Sequence, residues 1–321
     1  MAMRARILPT WFAVTLLAAP LAGQSPAGDS VALTFAWPVG TEARIEYTHV
    51  TERQGDSPEP SRLEIDGELT LHVHPHAAGL LIEHLEPLAT RVQSSPPLAG
   101  ADPRRVVLSR MGTPTPHTIV STDGRMLGID GVPALAAAIR DIVGPQTPQP
   151  ALDGLLRELL AEPLLVGTAR ERWNAQVGMW LGTSMKVGEV GAAESEEANP
   201  LMPSVILPYV YEFRLVGMEP CGAGATARTC ARLEMFSLPD PAQLEQVMDK
   251  ALVDMGFSTL SFDGLAQHSQ VTLLTDPATL LPFELTMSKL VEGILVDGGQ
   301  SRVFRRADEL TLRYTYTKIG G

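Results

Sequence analysis

Apolar and polar side chains alternate between residues 63 and 73. Leu63, Ile65, Leu69, Leu71 and Val73 take one parity, and Glu64, Asp66, Glu68, Thr70 and His72 take the other. A period of two over this length predicts an extended strand with one face buried and the other in water. Residues 75–79 predict a turn, and residues 80–85 the returning partner. Upstream, residues 31–37 and 43–51 are rich in β-branched and aromatic side chains and predict two more strands, split by Pro38-Val-Gly40. Downstream, residues 106–111, 118–121 and 126–129 predict strands, with a hairpin turn at Asp123-Gly124.

The period then changes. Pro133 suits a first helical position, and Leu135, Ala138, Ile139, Ile142 and Val143 follow at helical spacing. A proline-rich break at 145–150 precedes a second stripe of Leu152, Leu155, Leu156, Leu159 and Leu160. Both helices carry a wide apolar face, which needs an apolar support, most simply a sheet. Residues 184–190, 205–216 and 231–238 predict strands, and the acidic run 193–200 predicts a loop. Asp240 and Pro241 start a third helix, with Leu244, Val247, Met248, Ala251, Leu252 and Met255 on one stripe. Three long strands end the chain, at about 260–274, 281–296 and 302–318, the last two joined by Asp297-Gly298-Gly299. Hairpin order without βαβ alternation predicts an α+β fold. Its expected form is a large curved antiparallel sheet, unclosed and barrel-like, with about three amphipathic helices packed on it. Residues 25–321 read as one domain, with a helical insert at about 131–162.

The N-terminus changes the picture of where this domain works. Arg4 and Arg6 precede an apolar run at 11–17 and small residues at 18–23. That is the layout of a secretory signal peptide, over residues 1–24, and the run is too short to span a bilayer. Export to a periplasm or the extracellular space is therefore expected, with no integral membrane segment after cleavage. Cys221 and Cys230 enclose a loop of small residues between strand-like runs, and an oxidising compartment predicts a disulfide across it. The same loop matches G-x-G-x-x-A, but no βαβ unit surrounds it, so a hairpin loop is the expectation. At 45% hydrophobic the 321-residue chain has ample core, and its net charge of -12 argues against nucleic acid as a partner. Its 17 aromatic residues are too few and scattered for the girdles of an outer-membrane barrel.

Candidate chemistry is sparse. His72 and His74 share a strand face, and His84 lies on the returning strand, so the three form a candidate zinc or copper site. The competing reading is a solvated strand face, since Glu64, Asp66 and Glu68 lie on it too. No G-x-S-x-G, H-E-x-x-H, Walker A or S-x-x-K motif occurs, and neither Asp123-Gly124 nor Asp130-Gly131 opens an EF-hand loop. No enzyme and no cofactor are expected. The helix stripes offer a different function. Leu152, Leu155, Leu156, Leu159, Leu244, Val247, Met248 and Met255 are candidates for the lid of an apolar cavity, against the alternative of ordinary core.

The segment Trp37-Pro-Val-Gly-Thr-Glu-Ala-Arg-Ile-Glu-Tyr47, the Ser121-Thr-Asp-Gly124 turn, the helical insert and Asp276-Pro-Ala-Thr-Leu-Leu-Pro-Phe283 resemble secreted bacterial proteins of a domain-of-unknown-function family. The order of elements is also similar to the periplasmic lipoprotein-carrier and lipid-carrier superfamily. That resemblance implies an unclosed barrel lidded by helices and holding acyl chains. The expectation is an exported, non-enzymatic envelope protein that binds a hydrophobic ligand, a lipid or an envelope protein. The alternatives are an interaction module with a solid core and a histidine-based metal binder.

Overall fold

The computed structural model describes residues 30–55, 60–85, 89–97, 103–111, 114–144, 147–198, 206–254, 256–257 and 259–320. The signal-peptide segment lies outside them, as does Met255.

The period-two segments form the strands. The chain opens with β1 (Val31–Ala32), β2 (Glu42–Gln54), β3 (Ser61–His76), β4 (Gly79–His84) and β5 (Ala89–Ser95). Then come α1 (Pro103–Met111), the hairpin β6 (His117–Val120) and β7 (Met126–Asp130), and the helices α2 (Val132–Val143), α3 (Gln149–Leu159) and α4 (Glu162–Trp173). After β8 (Ser184–Met185) follow β9 (Val190–Ala198), β10 (Ile206–Cys221), β11 (Arg228–Pro239) and α5 (Pro241–Asp254). The chain ends with β12 (Leu260–Thr275), β13 (Pro282–Asp297) and β14 (Gln300–Lys318). Twelve strands join in one antiparallel sheet in the order β7-β6-β4-β3-β2-β14-β13-β12-β11-β10-β9, with β5 also on β3. The sheet does not close, and the fold is α+β as expected. No described helix is long and apolar enough to cross a membrane.

Two features of register organise the sheet. β2 pairs with β14, Ile45 opposite Tyr314, so the first and last hairpin stacks become one surface. β3 is long enough to carry two partners on one edge: β4 on residues 71–76 and β5 on residues 62–68. The inward parity of β2 and β3 buries Ala43, Ile45, Tyr47, Ile65, Leu69, Leu71 and Val73, as period two requires. Gly67 fills the remaining inward slot because Tyr47 lies across it. A Cβ at Gly67 would stand 2.5 Å from the Tyr47 hydroxyl.

Several expectations need correction. Residues 106–111 are helical rather than extended, because Val107 and Met111, one turn apart, enter a helical cluster with Ile139 and Leu155. α2 and α3 pack into that same small cluster, not simply onto the sheet. The acidic run at 193–200 is strand through Ala198, paired with β10 at the sheet edge. Edge strands commonly carry charge, which blocks further pairing. The helical insert runs on through α4 and a π turn at Asn174–Gly178. In residues 31–37 only Val31–Ala32 is strand; Leu33, Thr34 and Ala36 donate their N–H groups to loop carbonyls instead.

Three buried tryptophans fix the end of α4. Trp37 and Trp173 meet edge to face at 5.3 Å, with Phe35 5.9 Å from Trp173. Each indole N–H has a carbonyl acceptor: Trp37 to Leu280 at 3.0 Å, Trp173 to Gly124 at 2.8 Å and Trp180 to Ala175 at 2.8 Å. Buried indoles need such partners. The predicted Asp123-Gly124 turn thus anchors the C-terminal end of α4.

Candidate functional site

A cavity of about 850 Å³ lies against the inward face of the sheet. Tyr47 of β2, Leu69 of β3, Tyr209 and Tyr211 of β10, Met235 of β11, Val271 of β12, Val291 of β13 and Leu312 of β14 line it. α4 lines it through Pro163, Leu164, Val166, Gly167, Arg170 and Arg172, continued by Asn174 and Ala175 of the π turn. α1 and α2 contribute Met111 and Leu135. Apolar, aromatic and methionine side chains with a few polar groups are the usual walls of a small-molecule site. π turns recur at such sites.

The cavity also collects unmet polar atoms. Arg172 Nε and Gln267 Oε1 are buried without a hydrogen-bond partner and line the cavity, as does Tyr47, whose buried hydroxyl has the Thr90 hydroxyl as its side-chain partner. Buried polar groups are nearly always paired, so each orphan needs an explanation, such as a water or a ligand. Their neighbours are satisfied. Gln267 Nε2 donates to the Tyr209 hydroxyl at 2.8 Å, and Gln176 Nε2 to the Tyr314 hydroxyl at 2.6 Å.

The cavity is lined by Arg170, Arg172, Lys289 and Arg306 against Glu171, Glu196 and Asp308. Glu171 pairs with Lys289, and Asp308 with Arg306 at 2.7 Å. Arg172 has no ion-pair partner among the described residues. Burial lowers its pKa, and the nearby Tyr314, Tyr47 and Glu171 offset this only in part. The same guanidinium acts on two histidines. Burial and then Arg172 push His84 down to about 3, and burial pushes His49 down, with Asp308 opposing. Burial raises the Tyr314 phenol.

The residues predicted as a lid are placed elsewhere. Leu152 and Leu155 are buried; Leu155 sits in the α1–α3 cluster, with Leu156 and Leu159 packed against it. Leu244 and Met248 belong to the main core with Val247 against it, where α5 lies on β12. None of these lines the cavity. Their stripes are core, and α4, which has no such stripe, covers the cavity instead.

The three histidines divide between the faces of the sheet. His72 opposes Glu83 and His84 opposes Leu71, and opposed residues share a face. His84 therefore joins the inward side and lines the cavity, where its Nδ1 lies 3.3 Å from the Pro116 carbonyl. His72 and His74 stay on the outer face with Glu83. The ligand atoms of these three lie within 4.8 Å of one another, and His74 Nε2 is 3.0 Å from Glu83 Oε2. Glu83 replaces His84 in the candidate metal set.

Cys221 and Cys230 form the expected disulfide, with Cα atoms 5.8 Å apart, across the β10–β11 hairpin. The glycine-rich segment between them is a 3₁₀ turn joining antiparallel strands, not a nucleotide loop. On the outer face of that hairpin Val210, Phe236 and Leu238 are exposed, with Val210 opposite Leu238.

No family model matches the chain, and no curated protein matches it. Among solved structures, one described as "Lipid-protein interactions in lipovitellin" is similar at 12% identity and a TM-score of 0.43. The similarity covers 89% of this chain and 26% of that one. This chain therefore spans about a quarter of that protein's length, and a likeness this weak assigns no function.

Proposed function

We propose that this protein is an exported, non-enzymatic binding protein that holds a hydrophobic or amphipathic, lipid-like molecule between its sheet and α4. The carrying observation is the cavity of about 850 Å³, which contains the orphaned Arg172 Nε and Gln267 Oε1. Its volume falls within the ~300–1,000 Å³ of small-molecule sites. Tyrosine, leucine, valine and methionine walls suit an alkyl chain, and methionine adapts to irregular apolar shapes. Export is supported by the charged-apolar-small start of the sequence and by the disulfide. The test is titration with the neutral apolar dye N-phenyl-1-naphthylamine. Saturable fluorescence enhancement is expected at one site per chain. Ser269→Trp, which places a large ring in the cavity, should weaken binding about tenfold or more while the fold melts normally. Absence of saturable binding, or a Ser269→Trp variant that binds as well as the parent, contradicts the proposal.

The outer-face cluster favours a second reading. We propose that His72, His74 and Glu83 hold one divalent transition ion, Zn²⁺ or Cu²⁺. Imidazole and carboxylate ligands suit these ions. Tetrahedral zinc at its usual bond lengths needs ligand atoms about 3.3 Å apart, so small side-chain rotations bring the set together from within 4.8 Å. Calorimetry with ZnCl₂ and CuCl₂ should show one saturable site that His74→Ala removes and His84→Gln leaves intact. No saturable heat, or a site lost with His84, contradicts it.

A further inference from the structure

The cavity's charge balance identifies one end of its ligand. Of the carboxylates lining the cavity, Glu171 and Asp308 are each paired with a cation of the protein itself, and the third, Glu196, is exposed on the edge strand β9. Arg172 is the reverse case: a half-buried guanidinium that lines the cavity, with Nε buried and unbonded and no carboxylate in salt-bridge range among the described residues. An uncompensated charge away from water is costly and persists where something pairs with it. The Tyr47 hydroxyl lies in the same electrostatic neighbourhood, with the Thr90 hydroxyl as its side-chain partner. The position is rigid. Trp173, the next residue, is locked by its bond to the Gly124 carbonyl and its packing on Trp37. Successive helical residues point about 100° apart. With Trp173 held in the core, Arg172 is fixed facing the cavity.

We propose that the cavity takes a long-chain amphiphile with an anionic head, a carboxylate or a phosphate monoester, whose head pairs with the Arg172 guanidinium and whose chain lies along the tyrosine and methionine walls. The planar guanidinium fork matches both heads through paired N–H donors. The inference rests on the cavity reading above and adds the sign of the ligand's charge.

The experiment uses the purified full chain, stripped of bound lipid, and four probes with one twelve-carbon tail: dodecanoate, dodecyl phosphate, dodecanol and dodecyltrimethylammonium. Affinities are read by calorimetry or by displacement of N-phenyl-1-naphthylamine. The parent should bind at least one of the two anionic probes about ten- to a hundredfold more tightly than dodecanol, and the cationic probe least of all. Comparison of the two anionic probes separates carboxylate from phosphate. Arg172→Met should bring anion and alcohol within about threefold of each other while dodecanol still binds, and Arg172→Lys should keep part of the preference. Arg172→Met should also melt at a higher temperature than the ligand-free parent, because it removes an unpaired buried charge. Equal binding of anions and alcohol by the parent overturns the inference but leaves the cavity reading standing. Failure of all four probes overturns the cavity reading itself. A preference unchanged in Arg172→Met assigns the anion to another cation and overturns the role given to Arg172. If Arg172→Met does not fold, the parent's discrimination between anion and alcohol decides.

Discussion

His84 and His74 are both histidines of one hairpin, yet their chemistry diverges because their parity differs. His84 shares its side with Leu80 and Ile82, two and four residues back, and that parity was readable in the sequence. Facing inward, near Arg172 and His117 and bonded to the Pro116 carbonyl, it stays neutral until about pH 3. An unfolded histidine protonates near pH 6.5. Between those values the unfolded chain holds the extra proton. Stability is therefore fully present above pH 6.5 and falls as pH drops toward 3. His49, lowered by burial, acts in the same direction. Urea unfolding at pH 6.5 and pH 5 should show a loss, of which His84→Gln removes about 1–2 kcal/mol. An unchanged loss in that variant contradicts the assignment. Arg172 was not legible in the same way. Its significance lies in the carboxylates it does not meet, and no local pattern carries that.

At the scale of elements, legibility followed the support each element rests on. The hairpins and α5 rest on the continuous core, so their periods were visible, and Asp240 caps α5 as expected by accepting the Gln243 N–H at 2.9 Å. α2 and α3 were visible because their stripes face one another's helical cluster. α4 was not, and the cavity explains why. A helix that covers open space lined by mixed groups has no unbroken apolar surface to match. In α4, Leu165 and Trp173 are buried while Leu164 is 56% exposed, and Arg170, Glu171 and Arg172 follow one another. β9 was hidden for a related reason: as an acidic edge strand it has one neighbour in the sheet and little to bury. α1 was misread because Val106-Val107-Leu108 favours extended structure locally, and packing against α2 overrides that preference. The sheet wall of the candidate site thus came from well-marked strands, and its cover from α4, which the sequence marked least. The disulfide, the sheet and the outward histidines came from those marked best.

Across the whole molecule, pairing of β2 with β14 creates a single surface wide enough for five consecutive strands, β10 to β14, to line one cavity with β2 and β3. Trp37, Trp173 and Trp180 anchor α4 and the π turn, and Arg172 brings an unpaired donor to the interior. A net charge of -12 on the full chain makes the positive interior all the more local. Under the proposed function this interior holds an amphiphile. Native mass spectrometry of the protein purified from its source under mild conditions, repeated after solvent extraction, tests that claim most directly. The account predicts one adduct of lipid-like mass per chain, removed by extraction and restored on incubation with the extract. A bare-chain mass before extraction and after incubation contradicts it.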